Sequence, residues 1–157
     1  MSAPEKPAVI SSFEWRPELL LGVDQIDRQH QELLVRARAL NEALNAAAPQ
    51  HEIEAKLSEL INFTEMHFSS EEEMMRTYSY EGYAEHQAEH RKLLEQIHVV
   101  RRVFLDGTVV PRRILTLIME TWIKQHIADL DKPFAMFLRS KGALGSVWNK
   151  DADAFDR

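Results

Sequence analysis

Cysteine is absent from the 157 residues. No disulfide framework can form, and thiolate zinc sites and cysteine-ligated iron–sulfur clusters are excluded. Any metal this chain holds is bound through nitrogen and oxygen. Glycine and proline are scarce, at five and six residues, which suits a helical chain with few turns. A basic excess is missing as well: 19 Lys and Arg stand against 25 Asp and Glu, a formal net charge of -6. A nucleic-acid binder needs a basic face to displace counterions from phosphate, so none is expected as a partner. No stretch approaches the ~18 uninterrupted apolar residues of a membrane span. The start, MSAPEKPAVISSFEW, has no apolar run of signal-peptide length behind a basic end. These absences lead us to expect a cytoplasmic protein without a membrane span.

What is there reads as one domain, since the length suits a single core. Residues 1–22 form an arm without clear periodicity, although Phe13, Trp15 and Leu19 to Leu21 should pack in part on the body. Four amphipathic patterns follow. Val23, Ile26, His30, Leu33, Ala37, Leu40 and Leu44 recur at steps of three and four, the period of a helix with one buried stripe. The pattern ends before Pro49. The second stripe is Ile53, Leu57, Leu60, Thr64, His67, Glu71 and Met74, fading near Thr77. The third is Tyr83, His86, His90, Leu93, Ile97, Val100 and Phe104, closed by Asp106-Gly107. The fourth starts near Pro111, reads Leu115, Met119, Trp122 and His126, and continues past Pro133 to Phe134, Phe137 and Leu138, with Gly142 as a helix stop. Short connections make neighbouring helices antiparallel. The fold expected is an all-α, up-down-up-down four-helix bundle over residues 23–142, with a short, weakly patterned tail over 143–157.

Each stripe contains residues that do not belong in a dry core: His30, then His67 and Glu71, then His86 and His90, then His126, with Asp131 five residues on. Histidine and carboxylate in an apolar seam cost free energy unless paired or bound to a metal. One such residue has an ordinary explanation in a core hydrogen bond; seven on four converging stripes do not. His67 to Glu71 and His86 to His90 are i, i+4 pairs, one turn apart on one face. His126 and Asp131 are ~140° apart on an ideal helix and converge only if the helix is distorted. Pro133, whose ring clashes with the carbonyl of Asp129, supplies a reason. His51 and His98 lie off the stripes, ~160° from His67 and ~80° from His90, and read as surface residues.

Seven ligands are too many for one transition-metal ion and suit two ions bridged by the carboxylates. Imidazole suits iron, zinc, copper and nickel, while carboxylate is the harder ligand. The five histidines divide as three and two. With a bridging hydroxide the first ion reaches six ligands and the second five, which leaves one open position. Two ferrous ions with two carboxylates and one hydroxide sum to plus one. A histidine-rich site of this kind should favour reversible electron transfer to dioxygen over oxidative chemistry.

His30, His67-xxx-Glu71, His86-xxx-His90 and His126-xxxx-Asp131 resemble, in order and complete, the ligand pattern of the hemerythrin family. The segments Gly22 to His30 and Trp122 to His126 with Phe137 to Gly142 are similar to its bacterial members, and the resemblance covers roughly residues 13–142. It implies a haem-free oxygen carrier, store or supplier and not an enzyme. Two irons (Fe2+/Fe3+) would share an oxo or hydroxo bridge. His86, His90 and His126 would bind the saturated iron and His30 and His67 the second, with Glu71 and Asp131 bridging. Dioxygen would bind the second iron end-on as hydroperoxide, its proton coming from the bridge, and leave as O2. Leu33, Phe68, Trp122, Ile123 and Ile127, within a turn of ligands, are candidates for an apolar oxygen pocket. Met74 and Met75 are read as core, and Glu72 and Glu73 as solvent-facing. The tail beyond Gly142 departs from the short invertebrate forms. The competing functions are a di-iron peroxidase or oxidase and an oxygen or redox sensor; 157 residues leave no room for an output domain, so sensing would need a separate partner. A monomer serving an oxygen-consuming partner protein is expected.

Overall fold

The computed structural model describes residues 13–107, 117 and 119–143. Three long helices carry the first three stripes: α1 (Asp24–Asn45), α2 (Gln50–Thr77) and α3 (Tyr83–Leu105). The fourth rod is α-helical at the described residues 117, 119 and 120, winds as a π-helical segment over Thr121–Asp131, and runs on as α4 (Lys132–Ser140). The chain is an antiparallel four-helix bundle, with α2 packed between α1 and α3. The expected start of the fourth helix at Pro111, its Leu115, and the tail from 144 onward lie outside the described residues.

The stripes face inward as the periodicity requires. Ile26, Leu33, Ala37 and Leu40 of α1, Ile53, Leu57, Leu60 and Met74 of α2, Ile97 and Val100 of α3, and Met119, Trp122, Phe134 and Leu138 of the fourth rod are all buried. Met75 is buried too, which fits its reading as core. The arm is tied down at its C-terminal end. Phe13 is buried, a short 3-10 turn spans Pro17–Leu19, and the backbone N–H groups of Leu21 and Gly22 donate to the Asp27 carboxylate at 2.7 and 3.0 Å. Gly22 sits at φ +85°, and a Cβ there would stand 3.3 Å from the Arg139 guanidinium.

Helices α1, α2 and α4 end alike. After α1, Ala47 N–H donates to Leu44 and Ala48 N–H to Ala43; after α2, Ser79 donates to Arg76 and Tyr80 to Met75; after α4, Gly142 donates to Arg139 and Ala143 to Leu138. These paired bonds are Schellman motifs, in which the residue after the helix takes a left-handed conformation. Gly142 does so at φ +73°, as its reading as a helix stop required, whereas Ala47 (φ 49°) and Ser79 (φ 54°) do so with a side chain.

Candidate metal centre

The seven inward histidines and carboxylates meet. His30, His67, Glu71, His86, His90, His126 and Asp131 are each at most 5% exposed, and they fall into two groups of donor atoms. One contains His86, His90 and His126, the other His30 and His67, and Glu71 and Asp131 belong to both. Each carboxylate divides its oxygens between the groups. Glu71 Oε1 lies 3.0 Å from His67 Nε2 and 3.7 Å from His30 Nε2, while its Oε2 lies 3.3 Å from His90 and 3.5 Å from His86. Asp131 Oδ2 lies 2.9 Å from His30, while Oδ1 lies 2.9 Å from His86 and 3.1 Å from His126.

The fourth rod brings its two donors together by changing its winding. In an α-helix residues five apart diverge, but in a π-helix the hydrogen bonds run from i to i+5 and such residues stack. Lys132 N–H donates to Ile127, five residues back. The distortion expected beside Pro133 is therefore present, and it extends over all of Thr121–Asp131. Pro133 at the start of α4 has no N–H to give, so no α-type bond from that position to Asp129 draws the segment back into regular winding.

These donors fit a pair of cations better than they fit one another. His30 Nε2 and both oxygens of Asp131 lie close together yet find no hydrogen-bond geometry, and among the described residues His67 Nε2 and both Glu71 oxygens are left equally unpartnered. Atoms buried this way cost free energy unless something between them accepts their lone pairs. His126 Nε2 lies 3.1 Å from Nε2 of both His86 and His90. Neighbouring ligands at right angles on an ion with nitrogen bonds of ~2.1 Å stand about 3 Å apart.

Protons balance part of the carboxylate charge. Burial opposes the charge on His30 and His86, but the Asp131 and Glu71 carboxylates outweigh it and push both imidazoles up to about 9. For His67 burial prevails, and its imidazole is lowered from the usual value. Burial resists ionisation of Glu71, yet His67 and the other imidazoles hold its carboxyl well below the usual range. Asp131 is likewise depressed, against burial and the neighbouring Glu71, by His126 and His30.

Support around the donors is uneven. His67 Nδ1–H donates to Gln29 Oε1 at 2.7 Å, and Gln29 is held by Ser70 Oγ at 3.3 Å. His90 Nδ1–H donates to Glu72 Oε1 at 3.0 Å. This corrects the reading of Glu72 as simply solvent-facing: its side chain is 18% exposed and turned back toward the centre. Glu73 is exposed, as expected. Neither Gln29 nor Glu72 was singled out by its sequence position, although adjacency to a ligand was a usable signal for both. His51 is exposed, and His98 is half-exposed in a pair with Glu65 at 2.8 Å; both stand away from the donor groups.

Leu33, Phe68, Trp122, Ile123 and Ile127 are all buried. Phe68 lies flat on His90, with ring centroids 3.8 Å apart and planes 7° from parallel, and it also meets His67, His126 and Trp122. Trp122 borders a small cavity of about 30 Å³ shared with Thr64, Leu93 and Met119.

A histidine-rich pair of donor groups sharing two carboxylates inside a four-helix bundle defines the class of protein: a non-haem dinuclear metal protein. Comparison with known proteins makes this particular. The Hemerythrin HHE cation binding domain matches residues 21–138. The chain is 28% identical over 127 residues to bacteriohemerythrin of Clostridium acetobutylicum, covering 78% of this chain and 98% of that protein. It is 31% identical over 106 residues to bacteriohemerythrin of Methylococcus capsulatus, covering 68% and 80%. A crystal structure of wild-type hemerythrin superposes with a TM-score of 0.72 at 28% identity, covering 78% of this chain and 94% of that one. The chain belongs to the hemerythrin family, whose members are known for binding dioxygen at a di-iron site. Among the described residues, no helix is long and apolar enough to cross a membrane.

Proposed function

We propose that this chain binds dioxygen reversibly, as a carrier, store or supplier and not as an enzyme, at two iron ions in a cytoplasmic, monomeric bundle spanning residues 23–142. His86, His90 and His126 would hold one ion, His30 and His67 the other, and Glu71 and Asp131 would span both. The carrying observation is that each carboxylate directs one oxygen into each histidine group. Those oxygens find no hydrogen-bond partner among the described residues, and two cations would satisfy them best. The group with His30 and His67 offers one histidine fewer, so a small exogenous ligand has room there and not at the other.

When bound, two ferrous ions supply the electron pair that dioxygen takes up on binding and returns on release. The protein's part is to orient and to exclude. Gln29 fixes the ring of His67 through Nδ1, and Phe68 fixes that of His90 by stacking. Leu33, Phe68, Trp122, Ile123 and Ile127 would keep the open side apolar, which slows the water and protons that turn reversible binding into loss of peroxide. The hydroperoxide form and its internal proton, implied by the family resemblance, are part of this reading.

The test is anaerobic reduction of the iron-loaded protein, then oxygen, then argon, followed by visible absorption. A charge-transfer band that grows under oxygen and fades under argon is expected through repeated cycles. Irreversible conversion to a ferric spectrum in the first cycle would instead make the chain an oxidase or a sensor.

A further inference from the structure

The two histidine groups differ in what holds them from behind. His67 gives its Nδ1–H to a neutral amide, Gln29 Oε1, at 2.7 Å. His90 gives its Nδ1–H to a carboxylate, Glu72 Oε1, at 3.0 Å. His30 Nδ1 and His86 Nδ1 are buried with no hydrogen-bond partner among the described residues. The Glu72 carboxylate is itself fixed: its Oε2 accepts from Gln87 Nε2 at 3.2 Å, Gln87 also donates to the Tyr83 hydroxyl at 2.9 Å, and Arg76 donates to the same hydroxyl at 3.0 Å. Glu72 comes from α2, and Gln87 and Tyr83 from α3, so the crossing of these helices sets the arrangement. A surface glutamate held only for solubility would not be pinned at both oxygens.

An anionic acceptor behind a ligating imidazole makes that imidazole a stronger electron donor, and a neutral amide does so less. We propose that Glu72 is a positioning residue that sets the two metal positions apart. Its charge, relayed through His90, favours the oxidised state at the three-histidine position, while Gln29 orients His67 at the oxygen-facing position without adding charge. This rests on the di-iron reading above. The chemistry is electrostatic and adds no covalent step. Removing the charge should destabilise the ferric state, and because dioxygen binding draws electrons from the irons, bound oxygen should leave sooner.

Glu72→Gln removes the charge and keeps an oxygen to accept from His90. Gln87→Leu leaves the charge but frees it to turn toward water. Iron content and midpoint potential are measured for parent and variants in redox titrations without oxygen, and oxygen release is then followed by stopped flow. Both variants are expected to keep both ions, with the potential raised in Glu72→Gln and less so in Gln87→Leu, and oxygen release faster by roughly tenfold in Glu72→Gln. Unchanged potentials in both variants overturn the proposal. Loss of iron from both does so too, because Glu72 would then be a structural support and nothing more. The potential is read without oxygen, so a chain that failed to bind oxygen reversibly would still decide the role of Glu72.

Discussion

His126 joins three other donors of the centre, with its Nε2 at 3.1 Å from His86, from His90 and from Asp131 Oδ1. Removing that imidazole leaves the three-histidine group with two nitrogens. His126→Ala should therefore lose most bound iron, whereas His51→Ala and His98→Ala should load like the parent. Metal analysis of the three purified variants decides this, and equal iron loss in all three would sink the ligand assignment. The control variants matter because His98 is also paired with an acid, Glu65. A half-exposed pair of that kind contributes at most ~1 kcal/mol to stability and offers no converging third donor among the described residues.

At the scale of the element, helix ends and helix winding carry separate information. Ala47 occupies a left-handed position after α1 and is exposed. A side chain there costs roughly 1–2 kcal/mol. Glycine removes that cost but gives back about 0.5–1 kcal/mol through the freedom of the unfolded chain. Ala47→Gly should thus stabilise by about 0.5–1 kcal/mol, read as a higher denaturant midpoint with an unchanged slope. A lower midpoint would mean that the bonds from Ala47 to Leu44 and Ala48 to Ala43 do not set the geometry of this turn. The π winding of Thr121–Asp131 is a different case. It gives up regular α-helical bonding along one rod, and in return His126 and Asp131 reach the same donor group.

For the whole molecule, the centre couples folding to protons and to metal. His30 and His86 are raised from 6.5 to about 9. A group raised on folding adds stability that is complete below 6.5 and is lost as the pH climbs through 9. His67, lowered by burial, acts in the opposite sense only below 6.5. Between pH 6.5 and 9 the metal-free protein should therefore lose stability, by an amount of the order of a few kcal/mol. A bound cation replaces those protons, so metal binding releases them and strengthens as the pH rises. Thermal midpoints with and without a chelator should draw apart across this window, and proton uptake or release on loading can be titrated directly. Midpoints that stay parallel from pH 6.5 to 9 would show that neither imidazole is charged in the metal-free fold.

Much was determined by the sequence alone. Its three- and four-residue spacing sets four inward stripes, because only one face of each amphipathic helix can leave water. Histidine and carboxylate on those stripes announced a polar centre, and the five-residue step from His126 to Asp131 announced a distortion. The tertiary structure decided what spacing cannot express. Which oxygen of Glu71 or Asp131 faces which histidine group depends on how four rods cross. Whether Glu72, in a run of three acids, faces water or His90 depends on where α3 lies against α2. The length of the π segment depends on how far backbone bonding yields to hold two side chains in place. Periodicity reports the face on which a residue sits, and only the packed neighbours determine what that residue touches.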